Sequence, residues 1–218
     1  MKVSTDACIL GAWFAKYLHP VPQILDIGSG TGLLMQMLAQ KQPGTISGIE
    51  LEEHCYNQSL ANISRGPWAA RQQLFLGDAR NFAFLKKYDF IISNPPFYQG
   101  DLWSPSMEKN LAKHSQALSL EELLLAIARV LAPTGSFGVL LPYHRTDYFT
   151  QIAASANFWP GTKILVRQTP DHNYFRSILH FVRNAAQQEQ TFELTIQDKG
   201  GAYTAGFTEL MSDYYLQL

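Results

Sequence analysis

The sequence has few of the residues and patterns that mark disulfide-bonded, metal-binding or membrane-spanning proteins. It contains two cysteines, Cys8 and Cys55, and both lie in helix-like segments where a cysteine usually acts as a small buried apolar residue. Its six histidines are scattered without an H-x-x-x-H pair, so we expect no catalytic metal. No apolar run approaches the roughly 20 residues that cross a bilayer. The amino-terminal residues lead into a short amphipathic stretch and not a signal peptide, so we expect a cytoplasmic protein.

An excess of positive charge is also absent. The 17 basic and 18 acidic residues nearly cancel, whereas proteins that bind nucleic-acid phosphates commonly carry a strong positive excess. A local cluster can still bind RNA, and the candidates for it are Lys86, Lys87, Lys109, Lys113, Arg145, Arg167 and Arg176. An ordinary solvated surface explains these charges equally well. Any RNA binding should be weak and should fall steeply as salt rises.

The residues that are present indicate one domain covering residues 1–218. A hydrophobic share of 46% argues against disorder, and a chain of 218 residues can bury a sizeable core. Single α/β domains of this length are common, and no internal repeat, low-complexity tract or interdomain linker interrupts the chain.

A glycine-rich loop lies between a predicted buried strand, Gln23–Ile27, and a segment with helical spacing, Leu33–Ala39. In such a loop, Gly28, Gly30 and Gly32 let the chain turn sharply and let a ligand approach the amide groups at the start of the helix. Leu33 occupies the place of the third glycine in a dinucleotide fingerprint, so the NAD pattern is not matched, and no P-loop lysine follows. The loop therefore indicates a nucleotide-like ligand of another kind.

Two further predicted strands end in an acid. Glu50 closes the strand Thr45–Glu50, at the place where a carboxylate usually accepts hydrogen bonds from ribose hydroxyls. Asp78 closes a strand-like run over residues 73–78 and could accept from an adenine amino group. Each acid taken alone is more simply explained as a solvated loop residue or a helix cap. The functional interpretation rests on the order and spacing of the two acids and the glycine loop.

The sequence Asn94-Pro95-Pro96-Phe97 follows a short apolar run and forms a rigid corner. Neither proline has an amide hydrogen, so the Pro95 carbonyl can accept from a ligand beside the side-chain oxygen of Asn94. Two acceptors suit one NH2 group, whose nitrogen lone pair would then face a nearby electrophile, and Phe97 could stack on the attached ring. The tetrapeptide is also compatible with a simple turn that ends a strand.

Taken together, these motifs resemble the class I S-adenosylmethionine-dependent methyltransferases. Residues 26–32 match their first motif, Glu50 their ribose-binding acid, Asp78 their adenine-edge acid, and residues 94–97 the catalytic motif of members that methylate planar nitrogens. Residues 2–6 with 10–13, and the closing residues 213–218, are similar to the bacterial tRNA adenine-N6 methyltransferases that act beside the anticodon of a valine tRNA.

The resemblance implies the roles of individual residues. The implied catalytic residues are Asn94, Pro95, Pro96 and Phe97. The implied S-adenosylmethionine-binding residues are Lys2, Thr5, Asp26, Gly28, Gly30, Gly32, Glu50, Leu51, Asp78, Ala79 and Asn94, with residues 1–20 forming a helical segment that covers the cofactor. The implied substrate-binding residues are Phe97, Lys113 and His114. Lys113 stands where the family often has arginine, so the bidentate guanidinium fork is lost there.

The rest of the chain continues the alternation of a doubly wound, mostly parallel sheet. The residues Ser119 and Glu122 have capping-box spacing before a helix, which residues 133–135 should end, and a strand over 136–141 should follow. A helix is predicted over 146–156, and strands over 163–167 and 177–182 should form an antiparallel hairpin. We thus expect a seven-stranded α/β sheet of the Rossmann-like methyltransferase type, with a possible edge strand over 191–196.

The implied reaction is a direct transfer of a methyl group to the N6 amine of an adenine, with tRNA as the partner and a monomeric enzyme. Positioning would supply most of the catalysis, and no general base is needed because the methylated amine can release its proton to water. Three alternatives stay open. The same corner occurs in enzymes that methylate guanine N2 or a protein glutamine, and a silent S-adenosylmethionine-binding scaffold could keep the fold. A glutamine enzyme usually carries an amino-terminal recognition domain, for which this early glycine loop leaves no room.

Overall fold

The computed structural model describes residues 3–96, 118–185 and 188–217, and these residues build one twisted sheet with helices on both faces. The strands are β1 Gln23–Ile27, β2 Thr45–Glu50, β3 Gln72–Leu76, β4 Tyr88–Ser93, β5 Leu131–Pro142, β6 Trp159–Arg167, β7 Arg176–Val182 and β8 Gln190–Thr195. Their order across the sheet is β3-β2-β1-β4-β5-β7-β6-β8.

The directions of the strands confirm the predicted fold class. Strands β1 to β5 run parallel to one another, whereas β7 pairs antiparallel with both β5 and β6. Strand β8 pairs in parallel with β6 and forms the predicted extra edge strand. The sheet is therefore a doubly wound seven-stranded sheet with an antiparallel carboxyl-terminal hairpin and one added strand.

The helices cover the sheet in two layers. They are α1 Thr5–Tyr17, α2 Leu33–Ala39, α3 Glu53–Ser64, α4 Leu120–Val130, α5 Thr146–Ser155 and α6 Ala205–Met211. Buried residues of α1, α2, α3 and α6 join one hydrophobic cluster, and those of α4 and α5 join a second cluster on the opposite face. Within the described ranges, no helix has the length and apolar character that a membrane span requires.

The predicted capping box of α4 is confirmed. The Ser119 hydroxyl accepts from the Glu122 amide at 3.1 Å, and the Glu122 carboxylate accepts from the Ser119 amide at 2.8 Å. The end of this helix differs from the prediction, because β5 begins directly at Leu131. Tyr88 pairs with Leu131 and Phe90 with Ser136, so residues 132–135 bulge out of the strand. The Pro-Thr-Gly signal thus marks a bulge within β5 and not a loop before it.

Helix α1 packs tightly on the middle of the sheet. Phe14 contacts Phe90 and His180, with ring centroids 4.8 Å and 5.6 Å apart. Burial lowers the pKa of His180 to about 4, so this ring is neutral at physiological pH and acts as part of the core. Cys8 and Cys55 are buried and free, as predicted, and the Cys55 thiol donates to the Glu52 carboxylate at 3.2 Å.

Gly138 lets the Phe14 ring approach the β5 backbone. A Cβ atom added at Gly138 would lie 2.3 Å from a ring carbon of Phe14, which is too close for any stable contact. We therefore expect Gly138→Ala to lower the free energy of unfolding by about 1–3 kcal/mol, as measured by urea denaturation.

Gly206 provides the matched control for this substitution. A Cβ atom added there meets its nearest neighbour beyond the adjacent residues, a Leu194 methyl carbon, only at 4.0 Å, and the residue lies in the first turn of α6. Gly206→Ala should leave stability unchanged or raise it by up to about 1 kcal/mol. Equal changes in the free energy of unfolding for Gly138→Ala and Gly206→Ala would show that the close approach of Phe14 does not require glycine at position 138.

Candidate active site

The carboxyl ends of three adjacent strands bring the predicted motifs together. Ile27, the last residue of β1, pairs with Ile49 of β2 on one side and with Ser93 of β4 on the other. The glycine loop, Glu50 and Asn94 therefore leave the same edge of the sheet side by side. In open parallel sheets, ligands bind at this edge, and the strand order reverses here between β1 and β4.

The glycine loop has the backbone conformation that only glycine adopts readily. Gly28, Gly30 and Gly32 have φ angles of 75°, 56° and 80°. The amides of Gly28 and Ser29 both donate to the Ile49 carbonyl, at 2.9 Å and 3.1 Å, which ties the loop to the end of β2. Among the described residues other than Gly28 and its two chain neighbours, no atom lies within 4 Å of a Cβ built at Gly28, so this side of the loop has space for a ligand.

Glu50 lies across the mouth of this loop. One carboxylate oxygen accepts from the Gly30 amide at 2.7 Å, and the other accepts from the Glu52 amide at 2.9 Å. The carboxylate is thus held in one orientation, and each oxygen keeps a lone pair for another donor. Leu51, the next predicted cofactor residue, is 46% exposed beside it. This geometry suits the predicted contact with two ribose hydroxyls.

Asp26 lies beneath the loop and has no hydrogen-bond partner. Its side chain is fully buried, and neither carboxyl oxygen bonds to any described residue. Burial, together with the nearby Glu50 carboxylate, raises the pKa of Asp26 to about 8. An acceptor that is buried and bonds to no described residue is costly, so a donor from a bound ligand would stabilise it. A cationic amino group of a ligand would meet this need, and S-adenosylmethionine carries one.

The buried Asp26 makes a testable contribution to the pH dependence of stability. Its pKa rises from 3.8 in the unfolded chain to about 8 in the folded protein, so the folded state holds a proton that the unfolded state releases between these values. Ligand-free protein should therefore lose stability as pH rises through this window, by at most roughly 1.4 kcal/mol per pH unit. Asp26→Asn, which cannot ionise, should lack this component.

Urea denaturation of both proteins at about pH 5 and about pH 7 measures the difference. We expect the stability of the native sequence to fall relative to Asp26→Asn by up to roughly 3 kcal/mol between these two conditions. Parallel changes in the two proteins would show that Asp26 ionises normally in the folded state.

Asp78 follows β3 at the same edge but is already engaged. Its carboxylate accepts from the Arg80 guanidinium, with a shortest distance of 2.7 Å, and this hydrogen bond lowers the pKa of Asp78. Arg80 also reaches Glu122 at 3.3 Å, which links the loop to the start of α4. The sequence analysis missed Arg80, although an arginine two residues after an acid is a recognisable signal. Ala79 is buried beside this pair, and the contact of Asp78 with adenine stays a prediction.

The corner after β4 keeps a side-chain acceptor without a partner. The Ser93 hydroxyl donates to the Ile27 carbonyl at 2.8 Å, which fixes the strand end against β1. Next to it, the Oδ1 atom of Asn94 is buried and forms no hydrogen bond within the described ranges. Pro95 is buried and Pro96 is exposed. Phe97, which we predicted to stack on the substrate, lies outside the described residues, as do Lys2, Lys113 and His114.

The amino end of α1 lies at this edge of the sheet. Asp6 accepts from Arg176, the first residue of β7, at 2.7 Å, so the amino end of α1 lies level with the ends of the parallel strands. The Thr5 side chain lies close to that of Tyr215 near the carboxyl terminus. The predicted cofactor contact of Thr5 therefore stays untested, but the two end motifs that carry the narrower resemblance are adjacent.

The basic residues do not form the single cluster that we considered. Lys86 and Lys87 precede β4, and Lys86 binds Gln23 at the start of β1. They lie at the amino ends of the parallel strands, opposite the glycine loop, so placing them on the catalytic face is wrong. Their position follows from strand direction, which charge alone does not reveal.

Three other basic residues lie at the carboxyl edge. Arg145 follows β5, Arg167 ends β6 and Arg176 begins β7. Acidic partners offset two of them, because Arg167 binds Glu193 and Arg176 binds Asp6. Lys109 and Lys113 lie outside the described residues. Among the residues that are described, no group of three or more histidine, cysteine, aspartate or glutamate side chains is arranged to hold a metal ion.

Comparison with known proteins agrees with this geometry. The model of the methyltransferase small domain family matches residues 12–137. A protein of Dyadobacter fermentans named tRNA1(Val) (adenine(37)-N6)-methyltransferase is 38% identical over 221 residues, covering 100% of this chain and 91% of the relative. A protein of Bacteroides fragilis with the same name is 33% identical over 223 residues, covering 100% and 92% of the two chains.

Solved structures share the fold at low identity. A predicted O-methyltransferase of Agrobacterium tumefaciens superposes with a TM-score of 0.73 at 15% identity, covering 94% of this chain and 95% of its own. A glycopeptide N-methyltransferase complexed with S-adenosyl-L-methionine gives a TM-score of 0.61 at 13% identity, covering 84% and 100%. These likenesses concern the fold alone.

Proposed function

This chain belongs to the methyltransferase small domain family and, within it, to the tRNA1(Val) (adenine(37)-N6)-methyltransferases, and from that premise we propose that it methylates the N6 amine of an adenine in tRNA. The methyl donor is S-adenosyl-L-methionine. The target is the adenine next to the anticodon of a valine tRNA, at the position that the names of the relatives give. A tRNA substrate places the reaction in the cytoplasm, and we propose a monomer as the active form.

The observation that carries this proposal is the Oδ1 atom of Asn94, a buried acceptor beside the glycine loop that bonds to no described residue. An exocyclic amine carries two N–H donors on a planar ring, and Asn94 and the Pro95 carbonyl together offer two acceptors. An oxygen that already bonded to the main chain could not take this role. A buried oxygen that bonds to no described residue supports a ligand contact at the corner and disfavours a purely structural turn.

The cofactor would be held by residues that already point to one place. Glu50 can accept from ribose hydroxyls, and the buried Asp26 can accept from an amino group. The positive φ angles of the glycine loop let a ligand approach the backbone at the start of α2. When bound, S-adenosyl-L-methionine supplies an electrophilic methyl carbon on a sulfonium sulfur.

The role of the chain in the transfer is to position the amine. Asn94 and Pro95 bind the two amino hydrogens, which turns the nitrogen lone pair away from them and toward the methyl carbon. Bound S-adenosyl-L-methionine would supply the methyl group, its sulfur would keep the electron pair of the broken carbon–sulfur bond, and the amine would release its proton to water. The target base must leave its stack, which costs less in a loop than in a duplex.

Nucleoside analysis tests this function directly. The protein is incubated with unmodified tRNA and labelled S-adenosyl-L-methionine, and the digested nucleosides are identified by mass spectrometry. We expect label in N6-methyladenosine and loss of that label when the adenine next to the anticodon is replaced by guanine. Label in N2-methylguanosine would instead identify a guanine enzyme, label in protein a glutamine enzyme, and binding without any turnover a silent scaffold.

A further inference from the structure

Two tyrosines form an aromatic surface at the same edge of the sheet as Asn94. Tyr143 follows β5 directly, and Tyr174 lies just before β7, with their ring centroids 5.4 Å apart and their planes inclined by 51°. We call Tyr143 and Tyr174 the tyrosine pair. The proposed reaction uses neither residue, and the sequence analysis did not single them out.

The register of the sheet places the tyrosine pair near the corner that holds Asn94. Strands β4 and β5 are neighbours, and Ser93 pairs with Val139. Tyr143 therefore stands four residues beyond that level on β5, and Asn94 stands one residue beyond it on β4. At about 3.3 Å per residue and about 4.8 Å between strands, the backbones of Asn94 and Tyr143 are roughly 11 Å apart. Nucleotides that flank a base held at Asn94 can reach this distance.

The tyrosine pair is held in place on one side and open on the other. The Tyr143 amide donates to the Phe175 carbonyl at 3.1 Å, which fixes the β5 end to the turn before β7. The guanidinium of Arg167 lies 5.4 Å from the Tyr174 ring centroid, and Arg167 is itself bound to Glu193. Tyr143 remains 41% exposed, although the large side chain of tyrosine is usually more deeply buried. This arrangement presents a rigid ring to solvent.

We propose that the tyrosine pair is a stacking platform for an unpaired nucleobase next to the target adenine, a role that rests on the function proposed above. Single-stranded RNA loops are commonly bound by stacking their splayed bases on aromatic rings. Such stacking is tolerant of sequence because every base has a flat face. Tyr143 provides the outer stacking surface, and Tyr174 with Arg167 supports it from behind.

The charge distribution explains why stacking matters in this protein. The net charge of the chain is −1, and the carboxyl-edge residues Arg167 and Arg176 bind Glu193 and Asp6. Contacts of these two arginines with phosphates are therefore weakened, because an acidic partner offsets each of their charges. Contacts with bases must then supply a larger share of the affinity for RNA.

Substitution of Tyr143 tests the platform on the full-length protein. Tyr143→Leu keeps an apolar side chain but removes the ring, so we expect the Kd for tRNA to rise about tenfold. The slope of log Kd against log salt concentration should stay unchanged, because no charge is lost. The Kd for S-adenosyl-L-methionine and the melting temperature should also stay unchanged. Tyr143→Phe keeps the ring and should restore binding to within about twofold of the native sequence.

Tyr17 provides the matched control. It is 52% exposed at the end of α1, six residues before the start of β1 and hence at the opposite edge of the sheet. Tyr17→Leu should leave tRNA binding unchanged.

Fluorescence of Tyr143→Trp gives a second readout. The signal of the added indole is obtained by subtracting the spectrum of the native protein, and it should change when tRNA is added but not when S-adenosyl-L-methionine is added.

Two results overturn the platform in distinguishable ways. In the first, the native protein produces N6-methyladenosine, but Tyr143→Leu binds tRNA as tightly as the native protein or as Tyr17→Leu. The platform is then wrong and the proposed function stands. If the native protein produces no methylated nucleoside, the proposed function fails and the platform fails with it.

Discussion

Asn94→Ala is expected to lower kcat for methyl transfer to tRNA by about 10²- to 10³-fold while the Kd for S-adenosyl-L-methionine changes by less than about threefold. The side-chain oxygen of Asn94 bonds to no described residue, so its removal breaks no described contact within the fold. The melting temperature should therefore stay constant. The loss would come from an amine that is no longer aligned with the methyl carbon. Single-turnover kinetics with saturating tRNA and isothermal titration with the cofactor measure the two quantities.

Asn81→Ala is the control for this substitution. Asn81 is exposed in the loop after β3, and only its backbone amide takes part in a described hydrogen bond, to the Asp78 carbonyl. Removing its amide side chain should leave kcat unchanged. An Asn94→Ala protein with native turnover would remove Asn94 from the chemistry, and an equal loss in both variants would indicate a general disturbance of this edge.

The second large effect is expected at Glu50. Glu50→Ala should raise the Kd for S-adenosyl-L-methionine by about 100-fold, because hydrogen bonds to a charged group contribute roughly 1.5–3 kcal/mol each. The substitution also removes the acceptor for the Gly30 amide, which holds the glycine loop closed against β2. Calorimetric titration of the cofactor into each protein gives the change directly.

Two further variants separate the charge from the support of the loop. Glu50→Gln keeps an acceptor for the Gly30 amide but loses the charge, so its Kd should fall between those of the native protein and Glu50→Ala. Glu53→Ala removes an exposed carboxylate from the first turn of α3 and should leave the Kd unchanged. Unaltered cofactor binding by Glu50→Ala would contradict the assignment of this acid to the ribose.

The strands and the glycine loop could be predicted because local pattern decides them. The buried strand before Gly28 and the position of Glu50 at the end of the next strand can each be predicted from residues that are close together in the chain. The structure places both as expected. The bulge over residues 132–135 could not be predicted in the same way. A Pro-Thr-Gly sequence favours a turn in isolation, and only pairing with β4 keeps both flanks of that turn in one strand.

The parts of the site that sequence reasoning missed depend on contacts between distant segments. The raised pKa of Asp26 arises from burial beneath the loop and from Glu50, which lies 24 residues later. The edge on which Lys86 falls is set by the direction of β4, and the tyrosine pair forms because β5 and β7 are antiparallel neighbours. Residue type and spacing alone carry none of this information.

The contact between Asn94 and the substrate amine can be measured most directly by removing the Asn94 side chain from the protein and the amino group from the RNA, separately and together. An anticodon stem-loop with adenine at the target position is compared with one carrying purine, which lacks the amino group, and both are titrated into the native protein and into Asn94→Ala with a non-reactive cofactor analogue present. We predict that loss of the amine weakens binding to the native protein by about tenfold and to Asn94→Ala by less than about twofold. An equal loss of affinity in the two proteins would show that Asn94 does not bind the amine.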